Sequence, residues 1–213
     1  MLQACPDSAA RLQNARLYAI SEDLDEASLL RWAEDCIRGG ADVVQLRQKS
    51  MPRGRVLQLA RALATAVHQR GAILIVNDYL DIALLSGADG VHLGPDDLSV
   101  AAARRQAPAG FVIGASASTP ASARDAVAAG ASYIGAGPAF ATPVKPLKQV
   151  IAADGIAAVQ AAVAVPVFAI GGINDGNLDE LTARGIHRVC VIHALAGGDA
   201  AAAARRLRQK LDA

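Results

Sequence analysis

Two consecutive glycines, Gly171 and Gly172, follow an apolar run at positions 165–170 and precede a polar segment at 174–184 that is typical of a short helix. Glycines let backbone N–H groups approach an anion without a side chain in the way, and a helix N-terminus favours negative charge. The stretch is therefore a candidate phosphate site. The alternative is an ordinary turn in which a glycine supplies a positive φ.

A second candidate site combines an amide with two cations at Gln45, Arg47 and Lys49. On a strand, side chains two positions apart point to the same side, so all three would reach one surface. Arg can fork onto phosphate oxygens, and Lys acts as a point charge. The three residues indicate an anion site, with a solvated basic rim as the alternative.

Carboxylates follow the next two apolar runs, with Asp78 directly after Asn77 and Asp97 a few residues after the run at 90–94. One carboxylate from each of two adjacent strands suits Mg²⁺, which takes few protein oxygens and leaves positions for a substrate phosphate. Cations and carboxylates in one place are typical of a polyphosphate–metal site. The alternative is helix capping, because each aspartate precedes a predicted helical segment.

Four further polar residues lie in or after the apolar runs. Ser116 is placed to donate to a phosphate, and Lys145 lies in a proline-punctuated loop that either closes over an anion or is a stiff connection. The N–H of His193 would complete a phosphate cup with the glycines, while its imidazole would be a base, a donor or a filler. His92, inside an apolar run, is predicted to pack within the fold. The sequence shows no nucleophile–base pair.

The elements that must position these residues are eight apolar runs alternating with predicted helices. Continuous apolar runs are typical of parallel strands buried on both faces, and they lie at 16–20, 43–47, 73–77, 90–94, 112–116, 133–137, 165–170 and 188–193. Eight such units predict an α/β protein, a single-domain (β/α)8 TIM barrel over residues 16–213. An N-terminal arm at 1–15, either loose or a short helix, would precede it. In this fold the site lies at the C-terminal ends of the strands, often with phosphate after strands seven and eight.

Composition limits the class of partner. The 213 residues carry a net charge of +1 and are 53% hydrophobic, which gives no support for nucleic acid or an anionic membrane as a partner. No apolar run reaches the ~18 residues of a membrane helix. Three widely spaced cysteines without a CxxC pair favour a reduced, cytoplasmic protein. We expect small phosphorylated ligands and a homodimer, although no sequence feature specifies the oligomeric state.

These motifs resemble, in the same order, those of the thiamine phosphate synthase family over about residues 16–210. The matching segments are 45–49, 76–78, 87–97, 114–116, 137–145 and 169–173. The resemblance implies a TIM-barrel transferase that uses Mg²⁺. It would join 4-amino-5-hydroxymethyl-2-methylpyrimidine diphosphate to hydroxyethylthiazole phosphate and release pyrophosphate. The implied route is ionisation of the diphosphate, followed by capture of the pyrimidine methyl cation by the thiazole nitrogen, with no general base.

The resemblance also implies residue roles by position. The pyrimidine diphosphate would be held by Arg47, Lys49, Asn77, Ser116 and Lys145, with Gln45 near them, and Mg²⁺ by Asp78 and Asp97. The thiazole phosphate would be bound by Thr142, Gly171, Gly172 and the backbone of Ile192 and His193, with Val144 in the loop that closes on substrate. Lys49, Ser116 and Lys145 would be the catalytic residues.

Four positions depart from the family pattern. Pro95, Ser118, Val144 and His193 stand where the family usually has Gln, His, Thr and Ser, respectively. Val144 removes a hydroxyl from the closing loop, and His193 enlarges a side chain beside the phosphate cup. Two alternatives to the synthase stay open. One is the related thiazole tautomerase, which uses a histidine where this chain has Ser118. The other is a catalytically weak phosphate-binding paralogue.

Overall fold

Eight parallel strands form a closed barrel in the computed structural model, which describes residues 8–141 and 149–213. The strands follow one another around the barrel in sequence order, and the last pairs with the first, with Tyr18 opposite Cys190. They are β1 (Leu17–Ile20), β2 (Val43–Leu46), β3 (Ile73–Asn77), β4 (Gly90–Leu93), β5 (Val112–Ala117), β6 (Tyr133–Ala136), β7 (Val167–Ile170) and β8 (Val189–Val191). The predicted (β/α)8 barrel is confirmed.

In the part of the chain that the structure describes, one α-helix follows each strand and covers the outside of the barrel, and one further helix precedes the first strand. In the described residues they are α1 (Ser8–Asn14), α2 (Glu26–Arg38), α3 (Arg53–Gln69), α4 (Leu80–Ser86), α5 (Val100–Gln106), α6 (Pro120–Ala128), α7 (Ala152–Ala162), α8 (Leu178–Thr182) and α9 (Ala200–Asp212). A 3₁₀ turn at His193–Leu195 follows β8. Within the described ranges, none of these helices combines the length and apolarity that crossing a membrane requires.

Side chains that cap the helices fix where they begin. Asp25 accepts a hydrogen bond from the Ser28 N–H at the start of α2, and Ser99 caps α5 in the same way. Thr119 forms a reciprocal capping box with Ser122 at the start of α6. Each cap satisfies an N–H group that the helix itself leaves without a partner, so these boundaries follow from local sequence.

The core has two layers, because successive strand residues point alternately into the barrel and out towards the helices. The interior layer contains three aromatic side chains, Tyr18, Tyr133 and Phe168, all fully buried. The Phe168 ring meets the Tyr18 and Tyr133 rings edge-on, with centroids 5.6 and 5.7 Å apart. The barrel is thus filled by packed side chains, leaving room for a site only at an end.

Helix α1 closes the N-terminal end of the barrel. Its Leu12 is 1% exposed and packs with the interior layer, and its Ser8 hydroxyl donates to the buried carboxylate of Asp89 at 2.6 Å. The described part of the predicted arm therefore includes a short leading helix that covers this end, and the opposite end remains open.

The segment after the glycine pair differs from the prediction. The helix predicted over 174–184 is only the five residues of α8, because two asparagines stabilise a turn before it. Asn177 Oδ1 accepts from the Asn174 N–H at 2.9 Å, and Asn177 Nδ2 donates to the Gly172 carbonyl at 2.9 Å. Such side-chain bonds to the backbone compete with helix formation. The glycines therefore do not open directly into a helix.

The last two strands are also shorter than predicted. Strand β7 begins at Val167 rather than at position 165, and β8 ends at Val191 rather than at 193. Ile192 adopts φ −114° and ψ −82°, which ends the extended conformation. His193 therefore lies in the 3₁₀ turn beyond the strand.

Candidate active site

A cavity of about 770 Å³ lies at the C-terminal ends of the strands, at the end of the barrel opposite α1. The predicted diphosphate residues that line it are Gln45, Arg47, Lys49, Asn77 and Ser116, and both predicted metal ligands, Asp78 and Asp97, line it too. The predicted phosphate-cup residues that line it are Gly171, Gly172, Ile192 and His193. Thr142, Val144 and Lys145 lie outside the described residues. The fold thus gathers every described candidate at one cavity.

The two cations of this cavity are positioned by contacts between the loops after β1 and β2. The Ser21 hydroxyl accepts from the Arg47 N–H at 3.0 Å, and Asp23 Oδ1 accepts from the Lys49 N–H at 3.0 Å. Asp23 Oδ2 also accepts from the Ser50 hydroxyl at 2.9 Å. Within the described ranges the Arg47 guanidinium has no carboxylate partner, which leaves it available to an anion in the cavity.

Asp78 lies at the mouth of the cavity and is not a helix cap. It adopts a left-handed φ of 66°, its N–H donates to the His92 carbonyl at 2.9 Å, and its carboxylate accepts from Lys49 Nζ at 2.5 Å. Helix α4 begins after Tyr79 with no side-chain cap. The capping alternative for Asp78 is therefore wrong.

Asp97 does not cap a helix either, because Ser99 caps α5. The Asp97 carboxylate instead accepts from the Gly94 N–H at 2.7 Å. Burial raises the pKa of the Asp97 carboxyl, and the neighbouring Asp78 carboxylate raises this pKa too, against the opposing effects of the Gly94 bond and the Lys49 charge. A cation bound next to Asp97 would favour the ionised form of its carboxyl group.

The described residues contain no ready-made metal cage, because no three His, Cys, Asp or Glu side chains among them come close enough to hold an ion. A cation bound by Asp78 and Asp97 would complete its coordination with water or with oxygens of a ligand. Mg²⁺ commonly binds in this manner, through one or two carboxylates and substrate phosphates.

The glycine pair allows the loops after β6 and β7 to pack closely. Gly171 and Gly172 have φ of 105° and 66°. A Cβ added to Gly171 would lie 2.6 Å from Pro138 Cβ, and one added to Gly172 would lie 2.6 Å from the Ala141 carbonyl oxygen. The turn interpretation of the sequence is confirmed, since both glycines adopt positive φ. The same two glycines line the cavity.

Sequence reasoning did not find the polar side chains inside the barrel beneath the cavity. Tyr18 and Tyr133, whose hydroxyls lie 2.9 Å apart, connect Gln45 on one side to His92 on the other. Burial raises the pKa of both phenols, which keeps them protonated. The sequence does place a tyrosine in each of two apolar strands. Because a buried phenol needs a hydrogen-bond partner, these two residues could have indicated polar contacts inside the barrel.

His92 packs within the barrel, as predicted, and also lines the cavity. Its Nε2 lies 3.0 Å from the Ser116 hydroxyl and its Nδ1 lies 3.0 Å from the Tyr133 hydroxyl. The sequence did not indicate that these two residues would meet, and the structure places the serine and the histidine in hydrogen-bond contact. Two segments 24 residues apart meet here only because β4 and β5 are neighbours.

At the rim of the cavity, His193 Nε2 lies 3.3 Å from Glu22 Oε1. The two side chains are 51% and 42% exposed, so solvent screens the pair and it contributes little stability. This contact gives the His193 imidazole a partner on the loop after β1, which the sequence left undetermined. Pro95 and Ser118, two of the other unusual positions, also line the cavity.

Comparisons with known proteins agree with this geometry. A family model described as thiamine monophosphate synthase matches residues 17–195. The chain is 47% identical to a thiamine-phosphate synthase of Methanoculleus marisnigri, over 82% of this chain and 84% of that protein. It is 43% identical to a thiamine-phosphate synthase of Methanoregula boonei, over 91% of this chain and 89% of that one.

A solved structure supports the same assignment. Thiamine phosphate pyrophosphorylase from Pyrococcus furiosus superposes with a TM-score of 0.85 at 32% identity, covering 95% of this chain and 98% of that chain. Both the family model and these relatives span nearly the whole barrel, including the strand ends that form the cavity. The chain belongs to the thiamine monophosphate synthase family.

Proposed function

We propose that the protein is a thiamine phosphate synthase, a transferase that joins 4-amino-5-hydroxymethyl-2-methylpyrimidine diphosphate to hydroxyethylthiazole phosphate. The products are thiamine monophosphate and pyrophosphate. One observation carries the proposal: cations, carboxylates and hydrogen-bond donors in the order of this family line a single cavity at the catalytic end of the barrel. Its volume, about 770 Å³, falls in the range of small-molecule sites.

The diphosphate group fits the side of the cavity formed by the loops after β2, β3 and β5. Arg47 offers a guanidinium without a carboxylate partner in the described residues, and Lys49, Asn77 and Ser116 line the same side. Lys145 remains a proposed diphosphate ligand on the sequence resemblance. These groups would stabilise the negative charge that gathers on the diphosphate as it leaves, which is an electrostatic role.

The residues present fit Mg²⁺. Asp78 and Asp97 would hold the ion, because the two carboxylates are neighbours and a cation between them would favour the ionised form of Asp97. When bound, Mg²⁺ would neutralise charge on the departing diphosphate. Lys49 Nζ, now 2.5 Å from Asp78, would then turn from that carboxylate towards the diphosphate.

The thiazole phosphate fits the opposite side, after β7 and β8. The cavity is lined there by Gly171, Gly172, Ile192 and His193. Because α8 is only five residues long and begins at Leu178, the backbone amides of the glycine loop would bind the phosphate, without help from a helix N-terminus. Thr142 and Val144 remain proposed neighbours on the resemblance.

Bond exchange in this reaction needs no general base. The diphosphate leaves with the electron pair of the carbon–oxygen bond, and the thiazole nitrogen supplies the pair of the new carbon–nitrogen bond. No proton has to be removed, so the chain's task is to orient two substrates and to stabilise charge. Ser116 serves as a hydrogen-bond donor in this scheme.

The test is synthesis of thiamine monophosphate from the two substrates with Mg²⁺, followed together with pyrophosphate release. We expect product to disappear with EDTA, and Lys49→Ala or Asp78→Ala to lower kcat/KM by at least about a hundredfold. Lys210→Ala is the matched control and should retain activity, because this lysine pairs with Asp179 on the barrel exterior.

Absence of product from folded wild-type protein would contradict the proposal. Thiazole tautomerisation would then be assayed, and binding of diphosphate without turnover would support the phosphate-binding paralogue.

A cytoplasmic location and a homodimer complete the proposal. Cys36 and Cys190 are free and buried, which suits a reducing compartment. Light scattering of the purified protein measures the mass and tests the dimer.

A further inference from the structure

Five polar side chains form a continuous hydrogen-bonded row across the interior of the barrel. Gln45 Nε2 donates to the Tyr18 hydroxyl at 2.7 Å, and the Tyr18 and Tyr133 hydroxyls lie 2.9 Å apart. Tyr133 then meets His92 Nδ1 at 3.0 Å, and His92 Nε2 meets the Ser116 hydroxyl at 3.0 Å. The row begins at β2, crosses the interior through β1 and β6, and returns to the cavity through β4 and β5.

The two tyrosines cannot touch a ligand. Both are 0% exposed, and neither borders the cavity that Gln45, His92 and Ser116 line. A buried hydroxyl is tolerated only when it is hydrogen-bonded, and phenylalanine would fill the same volume without that requirement. The hydroxyls therefore call for an explanation beyond packing against Phe168.

The hydrogen-bonding capacity of each group gives the row a direction. The amide nitrogen of Gln45 is only a donor, so the Tyr18 oxygen accepts from it, and the single Tyr18 proton is left to donate to Tyr133. By the same reasoning Tyr133 donates to His92 Nδ1. A neutral imidazole that accepts at Nδ1 carries its proton on Nε2, which then donates to the Ser116 oxygen.

We propose that Tyr18 and Tyr133 are positioning residues that hold His92 in its Nε2–H tautomer and so leave the Ser116 hydroxyl proton free to donate to a diphosphate oxygen. This role rests on the proposed function only where the diphosphate is concerned. The tautomer is a property of the protein alone.

The same direction decides what the Ser116–His92 contact can do. A histidine that donates to a serine cannot accept that serine's proton, so the pair is not arranged as nucleophile and base. Ser116 acts instead as a donor at the end of the row. If the direction of the row were reversed, the Ser116 hydroxyl would donate its proton to His92. Only the lone pairs of its oxygen would then face the ligand, and they would repel the oxygens of a diphosphate.

The first test is the tautomer of His92 in the ligand-free protein, read from ¹⁵N NMR of the imidazoles at about pH 8, where ordinary histidines are neutral. We expect the Nε2–H form in the wild type and a mixture in Tyr18→Phe, which removes a hydroxyl two hydrogen bonds away from His92. Ser86→Ala removes a buried hydroxyl outside the row and is the control, with no expected change.

A purely structural role for Tyr18 would lower stability without moving the tautomer. An unchanged His92 tautomer in folded Tyr18→Phe would therefore overturn the proposal, as would an Nδ1–H form in the wild type. If Tyr18→Phe does not fold, Tyr133→Phe removes the next hydroxyl of the row while keeping the ring.

The second test uses inorganic diphosphate with Mg²⁺ as the probe, measured by calorimetry. We expect Tyr18→Phe to weaken binding about twofold to tenfold, the range for one lost hydrogen bond. In a Ser116→Ala background the same change should have no further effect, because the row acts through Ser116. If the two substitutions each weaken diphosphate binding and their effects multiply in the double variant, the proposal that the row acts through Ser116 is refuted. Failure of the wild type to bind diphosphate would count against the proposed function instead, and the tautomer test would still decide the row.

Discussion

At the scale of single residues, two glycines make room for the interior row. A Cβ added to Gly114 would lie 2.1 Å from Cζ of Tyr133, and one added to Gly135 would lie 3.2 Å from Cε1 of His92. Neither glycine has a positive φ, so the need for glycine at these positions is one of space rather than backbone conformation. Small residues in β5 and β6 thus set where the large polar side chains lie.

We expect Gly114→Ala to lower the free energy of unfolding by about 1–3 kcal/mol, because the added methyl group overlaps the Tyr133 ring in a packed interior. Urea denaturation measures the change. Gly54→Ala is the matched control, since nothing lies within 4 Å of its added Cβ in α3, and it should be neutral or slightly stabilising. Equal stability of the two variants would contradict the steric explanation.

At the scale of elements, the loops after β1 and β2 hold each other in place. Ser21 donates its N–H to the Gln45 carbonyl at 2.9 Å, and Gln48 Nε2 donates to the Leu24 carbonyl at 2.9 Å. Together with the contacts of Asp23 to the second loop, these bonds continue the pairing of the two strands past their ends. The positions of Arg47 and Lys49 therefore depend on the neighbouring strand as well as on their own.

Asp23→Ala should weaken diphosphate binding about twofold to tenfold while leaving the fold intact, because the Lys49 backbone loses its fixed acceptor. Calorimetry with Mg²⁺ and inorganic diphosphate measures the effect. Asp23→Asn, whose side-chain oxygen still accepts, should restore most of the affinity. Tighter binding by Asp23→Ala would mean that the removed negative charge matters more than the lost positioning.

At the scale of the whole molecule, one end of the barrel is closed and the other holds the cavity. The N-terminal end is closed by α1 and by the buried Asp89, whose carboxylate accepts from Ser8, from the Leu74 N–H at 2.8 Å and from His68 Nε2 at 2.8 Å. The C-terminal end holds the cavity. This division is the usual one for the fold, with stability at the bottom and chemistry at the top.

The buried carboxylate of Asp89 should make the free energy of unfolding fall at acid pH. Burial alone would raise the pKa of this carboxyl, but hydrogen bonds from His68, Ser8 and Leu74 outweigh it and lower the pKa below its ordinary 3.8. A group with a lowered folded pKa stabilises the protein above the unfolded value, and this contribution is lost as the pH falls through the folded value. We therefore expect Asp89→Asn to be less stable than the wild type by about 1–3 kcal/mol at neutral pH.

That difference should shrink as the pH falls below about 4. Urea denaturation at several pH values measures it, with Asp125→Asn on the exposed face of α6 as the control. A difference that stays constant down to pH of about 2 would contradict the assignment to Asp89 ionisation.

The sequence by itself determined the barrel and most of its candidate site. Eight apolar runs alternating with helices specify parallel strands through burial on both faces, and the polar residue types at the ends of those runs mark the end that holds the candidate site. Arg47, Lys49, Asp78 and Ser116 could be chosen this way because each lies next to a strand end along the chain. Local chemistry also fixed helix starts, as at Thr119.

The tertiary structure alone decided the contacts that cross between strands. Nothing local says that Tyr18 meets Tyr133, 115 residues away, or that His92 meets Ser116, because these contacts follow from barrel closure and from strand register. The early end of β8 and the shortened α8 follow instead from local backbone turns and side-chain bonds that periodicity does not encode. The sequence pattern specifies whether a strand side chain points into the barrel or towards the helices, and only the closed barrel determines which residues it contacts.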